Sequence, residues 1–314
     1  MSLRPFDAVR RAQPAERFVE IDGRQVYVEQ LGAGDAVVLL HGFGESSYSW
    51  RKVMPELARS FRVVAPDLNG FGWTERPRDP LSYTREGQER LVLGLLAALG
   101  IARAQFVGHS YGGGLTLFLA SRHPERMRSM ALIDSSAASY ADDRRSLLAA
   151  LRPFDDLFLQ VALRPRYVRQ SLIASVHDPA VVTPEMVRAY LDRLRVEGEG
   201  DAYYGLTARL RRPAAAGAPA ERPASRYVEL EKIAVPALVV WGAEDRVVPI
   251  EGGRQAARRL PSSEFVTIPG SGHLPMEERP AELLSLLLPF LRRHGAASAA
   301  AAAIPPPPQQ RAGG

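Results

Sequence analysis

The chain has 314 residues and no cysteine, with 46% hydrophobic and 24% charged residues. That is enough to bury a large core in one domain, although the length would also allow two small ones. The missing cysteine excludes disulfides, thiolate metal sites and a cysteine nucleophile. The net charge of +5 comes almost entirely from arginine, because lysine stands only at Lys52 and Lys232. These arginines are scattered among acids instead of forming a stripe, so a solvated surface is expected and not a nucleic-acid face. The first residues lack the apolar run of a signal peptide and no stretch is long enough to span a bilayer. A cytoplasmic protein without a membrane partner is the expectation.

In chain order, residues 1–17 are polar and read as an N-terminal arm. Two short alternating segments, 18–21 and 25–29, flank Asp22-Gly23 and predict a hairpin. A buried strand follows over 37–40, a helix over 48–59 and a strand over 61–65. A longer helix is expected over 84–99, with Leu91, Leu95 and Leu99 on one face. Strands at 104–107, 130–133, 237–241 and 264–267, and a last helix near 281–293, complete the pattern. Strands alternating with helices imply an α/β fold, a mostly parallel sheet with helices on both faces.

Between Asp134 and Lys232 the alternation stops. Segments 157–163, 167–176 and 187–194 look amphipathic, and Thr183-Pro184-Glu185 is a helix start with a threonine cap and proline at the first position. Residues 136–229 are therefore expected to form a helical cap. Its aromatics, Tyr140, Phe154, Phe158, Tyr167, Tyr190, Tyr203 and Tyr204, read mostly as packing residues with some able to line a pocket. Residues 214–224, rich in Ala and Pro, read as a loop. The stretch 295–314, with its alanine run and Pro305 to Pro308, reads as a disordered low-complexity tail. The catalytic core is then 18–135 together with 230–294.

The chemistry is concentrated in Gly108-His109-Ser110-Tyr111-Gly112. A strand runs into this G-x-S-x-G and an apolar helix leaves it, the context of a nucleophile elbow whose serine hydroxyl stands above the sheet. Glycines suit the crowding on both sides of the turn.

A serine hydroxyl is a poor nucleophile and needs a base, which in turn needs an orienting acid. Of six histidines, His273 is the best base, because it lies in a glycine-rich loop after the strand at 264–267. His109 adjoins the serine, so its side chain should point away from it. Asp245, in the loop leaving the apolar strand 237–241, is the expected acid. Asp134, ending the strand at 130–133, is a second candidate whose ordinary role would be a turn or cap residue. The order Ser110, Asp245, His273 is that of the α/β hydrolases. The developing oxyanion needs donors, for which the backbone N–H groups of Phe43, in His41-Gly42-Phe43-Gly44, and of Tyr111, at a helix N-terminus, are the candidates.

These pieces, with Ala65-Pro66-Asp67-Leu68-Asn69-Gly70-Phe71-Gly72 and Gly272-His273-Leu274-Pro275, resemble the α/β-hydrolase superfamily over roughly residues 18 to 294. The loops around His41 and Asp67 are similar to those of epoxide hydrolases and haloalkane dehalogenases, which use an aspartate nucleophile. Ser110 in its place argues against both activities and implies acyl transfer to serine and then to water. The resemblance implies a serine esterase for a small-molecule substrate, with no metal or organic cofactor. Carbon–carbon bond hydrolases of ring-fission products share fold and triad, but often carry asparagine before the nucleophile and tryptophan after the base. His109 and Leu274 stand there instead. A third reading is a small-molecule receptor that keeps the fold and triad without turnover, and a perhydrolase side activity is compatible with the same serine site. Oligomeric state is left open.

Overall fold

The computed structural model describes residues 3–136, 164–198 and 228–295. The tail from 296, and the segments expected as the helix at 157–163 and the loop at 214–224, lie outside them. The strands are β1 (Phe18–Ile21), β2 (Arg24–Leu31), β3 (Ala36–Leu40), β4 (Arg62–Pro66), β5 (Ala104–His109), β6 (Met127–Ile133), β7 (Ala237–Gly242) and β8 (Ser263–Ile268). The helices are α1 (Phe6–Ala12), α2 (Met54–Leu57), α3 (Arg85–Ala98), α4 (Ser110–Arg122), α5 (Pro165–Ser175), α6 (Pro184–Leu194), α7 (Ile250–Arg259), α8 (Pro275–Glu278) and α9 (Pro280–Arg293).

The strands form one eight-stranded sheet in the order β1-β2-β4-β3-β5-β6-β7-β8. β2 pairs antiparallel with both β1 and β4, and every pairing from β4 to β8 is parallel. The expected D-G turn closes the first hairpin, with Asp22 and Gly23 at φ of 51° and 73°, the pair of positive values a twist-matched two-residue turn requires.

The continuous apolar runs of the central strands follow from burial on both faces. Val38, Leu40, Phe106, Leu132 and Val239 join one core with residues of α3, α4 and α7. Their neighbours Val37, Leu39, Val107, Ile133 and Val240 join another with Trp50, Met54, Leu283 and Leu287. Strand alternation thus feeds two layers from one sequence run. The single helix expected over 48–59 is instead a 3₁₀ turn, Ser47–Trp50, followed by the short α2. The helix expected over 84–99 is α3, and Thr84 caps it, its side chain accepting from the Gly87 N–H.

Residues 3–17 are more than an arm. They carry α1, whose Val9 is fully buried against Tyr27, Trp73 and Val196. Phe6 packs against the same cluster at its edge, and two apolar anchors in seven residues are too sparse a pattern to announce the helix in the sequence. Between β6 and β7 the chain forms α5 and α6. Their apolar faces, including Val168, Leu172, Met186 and Leu191, join the second core, and Thr183 caps α6 by accepting from the Met186 N–H. Of the aromatics expected in this region, Tyr190 is buried and hydrogen-bonded to Ser49 at 3.2 Å, whereas Tyr167 is exposed. Tyr140, Phe154, Phe158, Tyr203 and Tyr204 lie outside the described residues.

Candidate active site

Parallel strands deliver all the candidate side chains to one edge of the sheet. β3 ends before His41, β5 at His109, β6 before Asp134, while β7 and β8 lead into the loops bearing Asp245 and His273. No loop separates β5 from α4: Ser110 is the first helical residue and takes φ 47°. A side chain in the left-handed region is strained, by about 1–3 kcal/mol, and such strain persists where surrounding structure enforces it. Here the enforcement is close packing. A Cβ on Gly112 would lie 2.1 Å from the Leu40 carbonyl oxygen, and one on Gly108 would lie 2.4 Å from Thr116 Oγ1 and 2.5 Å from the Gly112 carbonyl. Only glycine lets α4 start this near β3 and β5.

Ser110, His273 and Asp245 come together. His273 Nε2 is 3.0 Å from Ser110 Oγ, and His273 Nδ1 is 2.8 Å from Asp245 Oδ2. A carboxylate can only accept, so Nδ1 carries the proton and Nε2 is left to accept from the serine hydroxyl. Asp245 is held from behind, its Oδ1 accepting from the Val247 and Val248 N–H groups at 2.7 and 3.1 Å. Burial alone would raise its pKa, but the His273 hydrogen bond and charge and these two amides hold it below the usual carboxylate range. The arrangement can withdraw a proton from Ser110 and stabilise the imidazolium that results.

Asp134, the competing acid, also reaches the site. It sits at φ 43°, fully buried, with one carboxyl oxygen accepting from the Gly242 N–H at 2.8 Å. Atoms of Asp134, Asp245 and His273 all lie within 4.8 Å of one another.

Phe43 and Tyr111 stand side by side, their rings 6.4 Å apart and each packed edge-on or tilted against Phe71. Tyr111 is in the first turn of α4, whose amides have no acceptor within the helix and whose dipole favours an anion. The Phe43 loop is shaped by buried polar contacts. His41 Nε2 accepts from the Leu68 N–H at 3.0 Å, which places its proton on Nδ1, donated to the Gly42 carbonyl at 2.8 Å. Burial lowers the pKa of this ring, matching its neutral form. Asp67 braces the same loops, accepting from the Ser47 N–H at 2.6 Å and the Trp73 N–H at 2.7 Å.

The sequence reading missed three supports. His109 does point away from Ser110, but into a buried contact: Nε2 donates to the His273 carbonyl at 2.7 Å, and Nδ1 lies 3.0 Å from Glu45 Oε1 at an angle poor for a full hydrogen bond. Burial works against charging this imidazole, yet Glu45 and the His273 carbonyl outweigh it and raise its pKa. Burial likewise opposes the Glu45 charge, but the His109 charge prevails and pulls that carboxyl down to about 2. The second support is the Ser175 carbonyl at the end of α5, which accepts from the His273 N–H at 2.7 Å. The third is Glu278, accepting from the His177 N–H at 2.6 Å and the Gly272 N–H at 2.7 Å. Only the short spacing from Gly272 to Glu278 was visible in the sequence.

Comparison with known proteins agrees with this architecture. A family model described as the alpha/beta hydrolase fold matches residues 35–280. An uncharacterized hydrolase of Bacillus subtilis, YugF, is 33% identical over 274 residues, 87% of this chain and 95% of its own. The 2-hydroxymuconate semialdehyde hydrolase of Pseudomonas sp. strain CF600 is 31% identical over 272 residues, covering 86% of this chain and 91% of its own. Among solved structures, a thermophilic esterase from Thermogutta terrifontis superposes with a TM-score of 0.70 at 28% identity, over 88% of this chain and 99% of that one. None of the described helices is long and apolar enough to cross a membrane. The chain belongs to the α/β hydrolase fold family and is a hydrolase of that family.

Proposed function

We propose that the chain is a serine hydrolase that cleaves a small-molecule carboxylic ester through an acyl-enzyme. The observation that carries this reading is the continuous hydrogen-bonded chain from Ser110 Oγ through His273 to Asp245, at 3.0 and 2.8 Å. Ser110 Oγ attacks the acyl carbon while its proton passes to His273 Nε2, and Asp245 stabilises the imidazolium. The Phe43 and Tyr111 amides receive the oxyanion. Its collapse breaks the bond to the alcohol oxygen, which leaves with the proton from His273. Water then attacks the acyl carbon, His273 takes one of its protons, and that proton returns to Ser110 as the acid departs. No metal or organic cofactor enters a step. In this reading residues 136–229, of which α5 and α6 are the described helices, form the cap over a core of 18–135 and 230–294.

A second reading, hydrolysis of a carbon–carbon bond in a ring-fission product, is favoured by the 31% identity to the Pseudomonas semialdehyde hydrolase. The same three groups serve it. Against it stand His109 and Leu274, both buried here, at the positions where asparagine and tryptophan are common in those enzymes. The test is labelling by a fluorophosphonate, followed by rates on p-nitrophenyl esters and on a dienoic ring-fission product. Label on Ser110 with faster ester turnover supports the first reading. Preference for the dienoate moves the assignment to the second, and absence of label removes both, leaving a binding protein.

A further inference from the structure

Two carboxyl groups converge on the imidazole of His273, and their surroundings differ. Asp245 has the imidazole N–H and two backbone amides to hold a negative charge. Asp134 has one, the Gly242 N–H on Oδ1 at 2.8 Å. Its Oδ2 is shut off from solvent and has no hydrogen-bond partner meeting full geometry. Both side chains are fully buried, and one ligand atom from each lies within 4.8 Å of the other and of the imidazole. Two like charges so placed cannot both persist in a low-dielectric site, and the less solvated carboxyl takes a proton. Glu278 adds a further negative charge to the surroundings of Asp134.

We propose that Asp134 is a neutral carboxylic acid in the resting protein, its Oδ2 proton directed at Asp245, so that it is a positioning residue for the acid that orients His273. The direction of its titration agrees. Burial and the Asp245 charge push the Asp134 carboxyl well above the usual range, and the Gly242 amide offsets only part of this. The left-handed backbone at Asp134, φ 43°, turns the side chain back across the end of β7 to the Gly242 amide. Among residues with a side chain, Asp and Asn tolerate that conformation best. The role rests on the triad reading above, but the protonation state can be measured without turnover.

The experiment is infrared difference spectroscopy of wild-type protein and Asp134→Asn, each labelled with ¹³C-carboxyl aspartate, at pH 8. A neutral carboxylic-acid carbonyl band present in the wild type and missing from the variant is expected. Only ionised carboxylate bands at pH 8, or a band that survives in the variant, would overturn the assignment. Should Asp134→Asn not fold, Asp245→Asn supplies the second arm. Losing the neighbouring charge should move the band's titration to lower pH, and an unmoved band counts against the proposal. Kinetics test the positioning role: Asp134→Ala, which takes this donor from Asp245, should lower kcat and Asp134→Asn should restore most of it, whereas an unchanged kcat in the alanine variant counts against the proposal. The asparagine amide can replace a neutral acid bond for bond, so in Asp134→Asn the acid limb of kcat/KM should stay in place. An ionised Asp134 would make the same substitution remove a negative charge beside the imidazole, moving that limb to lower pH. A failure of Ser110 labelling would defeat the functional reading while leaving the carboxyl band to be scored by itself.

Discussion

The carbonyl of His273 accepts a hydrogen bond from Nε2 of His109 at 2.7 Å, so the residue preceding Ser110 holds the backbone of His273. The two rings lie 4.8 Å apart. Below them Glu45 carries the counter-charge, and its other oxygen accepts from the Gly42 N–H at 3.2 Å. One buried His–Glu pair therefore touches the elbow, the His273 loop and the loop bearing Phe43. In a low-dielectric interior such a network is strong when complete and costly when broken.

This pair gives the fold a pH window. Glu45 is depressed from 4.5 to about 2, so its contribution is present above 4.5 and is lost as pH falls through about 2. His109 is raised above 6.5, so its contribution is complete below 6.5 and is lost as pH rises through the raised value. The wild-type melting temperature should fall on both sides of this window. Glu45→Gln should cost about 3 kcal/mol within it and flatten the curve. Thermal melts across pH test this, and parallel curves for the two proteins would count against it.

Ser110→Ala should lower ester kcat by about 10⁴-fold or more, by the precedent of serine triads. Ser110→Gly should be equally inactive but more stable by about 1 kcal/mol, because glycine relieves the left-handed strain. Denaturant unfolding of both variants checks the second half. Equal stabilities would show that the elbow is not strained.

Gly42→Ala places a Cβ 2.7 Å from Glu45 Oε1 and 2.8 Å from His109 Nδ1. Displacing the neighbouring Phe43 amide should cost about 3 kcal/mol in the acylation barrier, roughly a hundredfold. The effect should appear in kcat, measured by the burst rate with a p-nitrophenyl ester, with KM little changed. A change in KM alone would remove Phe43 from the oxyanion assignment.

Glu278→Ala should free the amides of Gly272 and His177 and cost about 1–2 kcal/mol, softened by water because the site is half-buried. Those amides belong to the loop of His273 and to the chain following α5. A fall in kcat should accompany the stability loss, and Glu278→Gln, which keeps one acceptor, should restore most of it.

The elbow, the apolar strands and the hairpin were legible in the sequence because each is a local matter. Ser110 between Gly108 and Gly112, the run 237–241 and Asp22-Gly23 state their conformations through neighbours in the chain. Triad order and strand ends likewise singled out Asp245 and His273. The helix α1 was not legible there because only Val9 and, at its edge, Phe6 carry its packing. Nothing local marked Glu45 as the partner of His109, or Ser175 as the acceptor for the His273 amide. Both contacts join segments distant in the chain.

Composition, periodicity and turn chemistry by themselves determined that this chain folds as a sheet covered on both faces, with a serine raised at one strand's end. Only tertiary structure decided that both Asp134 and Asp245 arrive at one imidazole, and that each finds different donors there. Charge states in a buried site depend on every group that converges on it, and convergence is a property of the packed sheet edge.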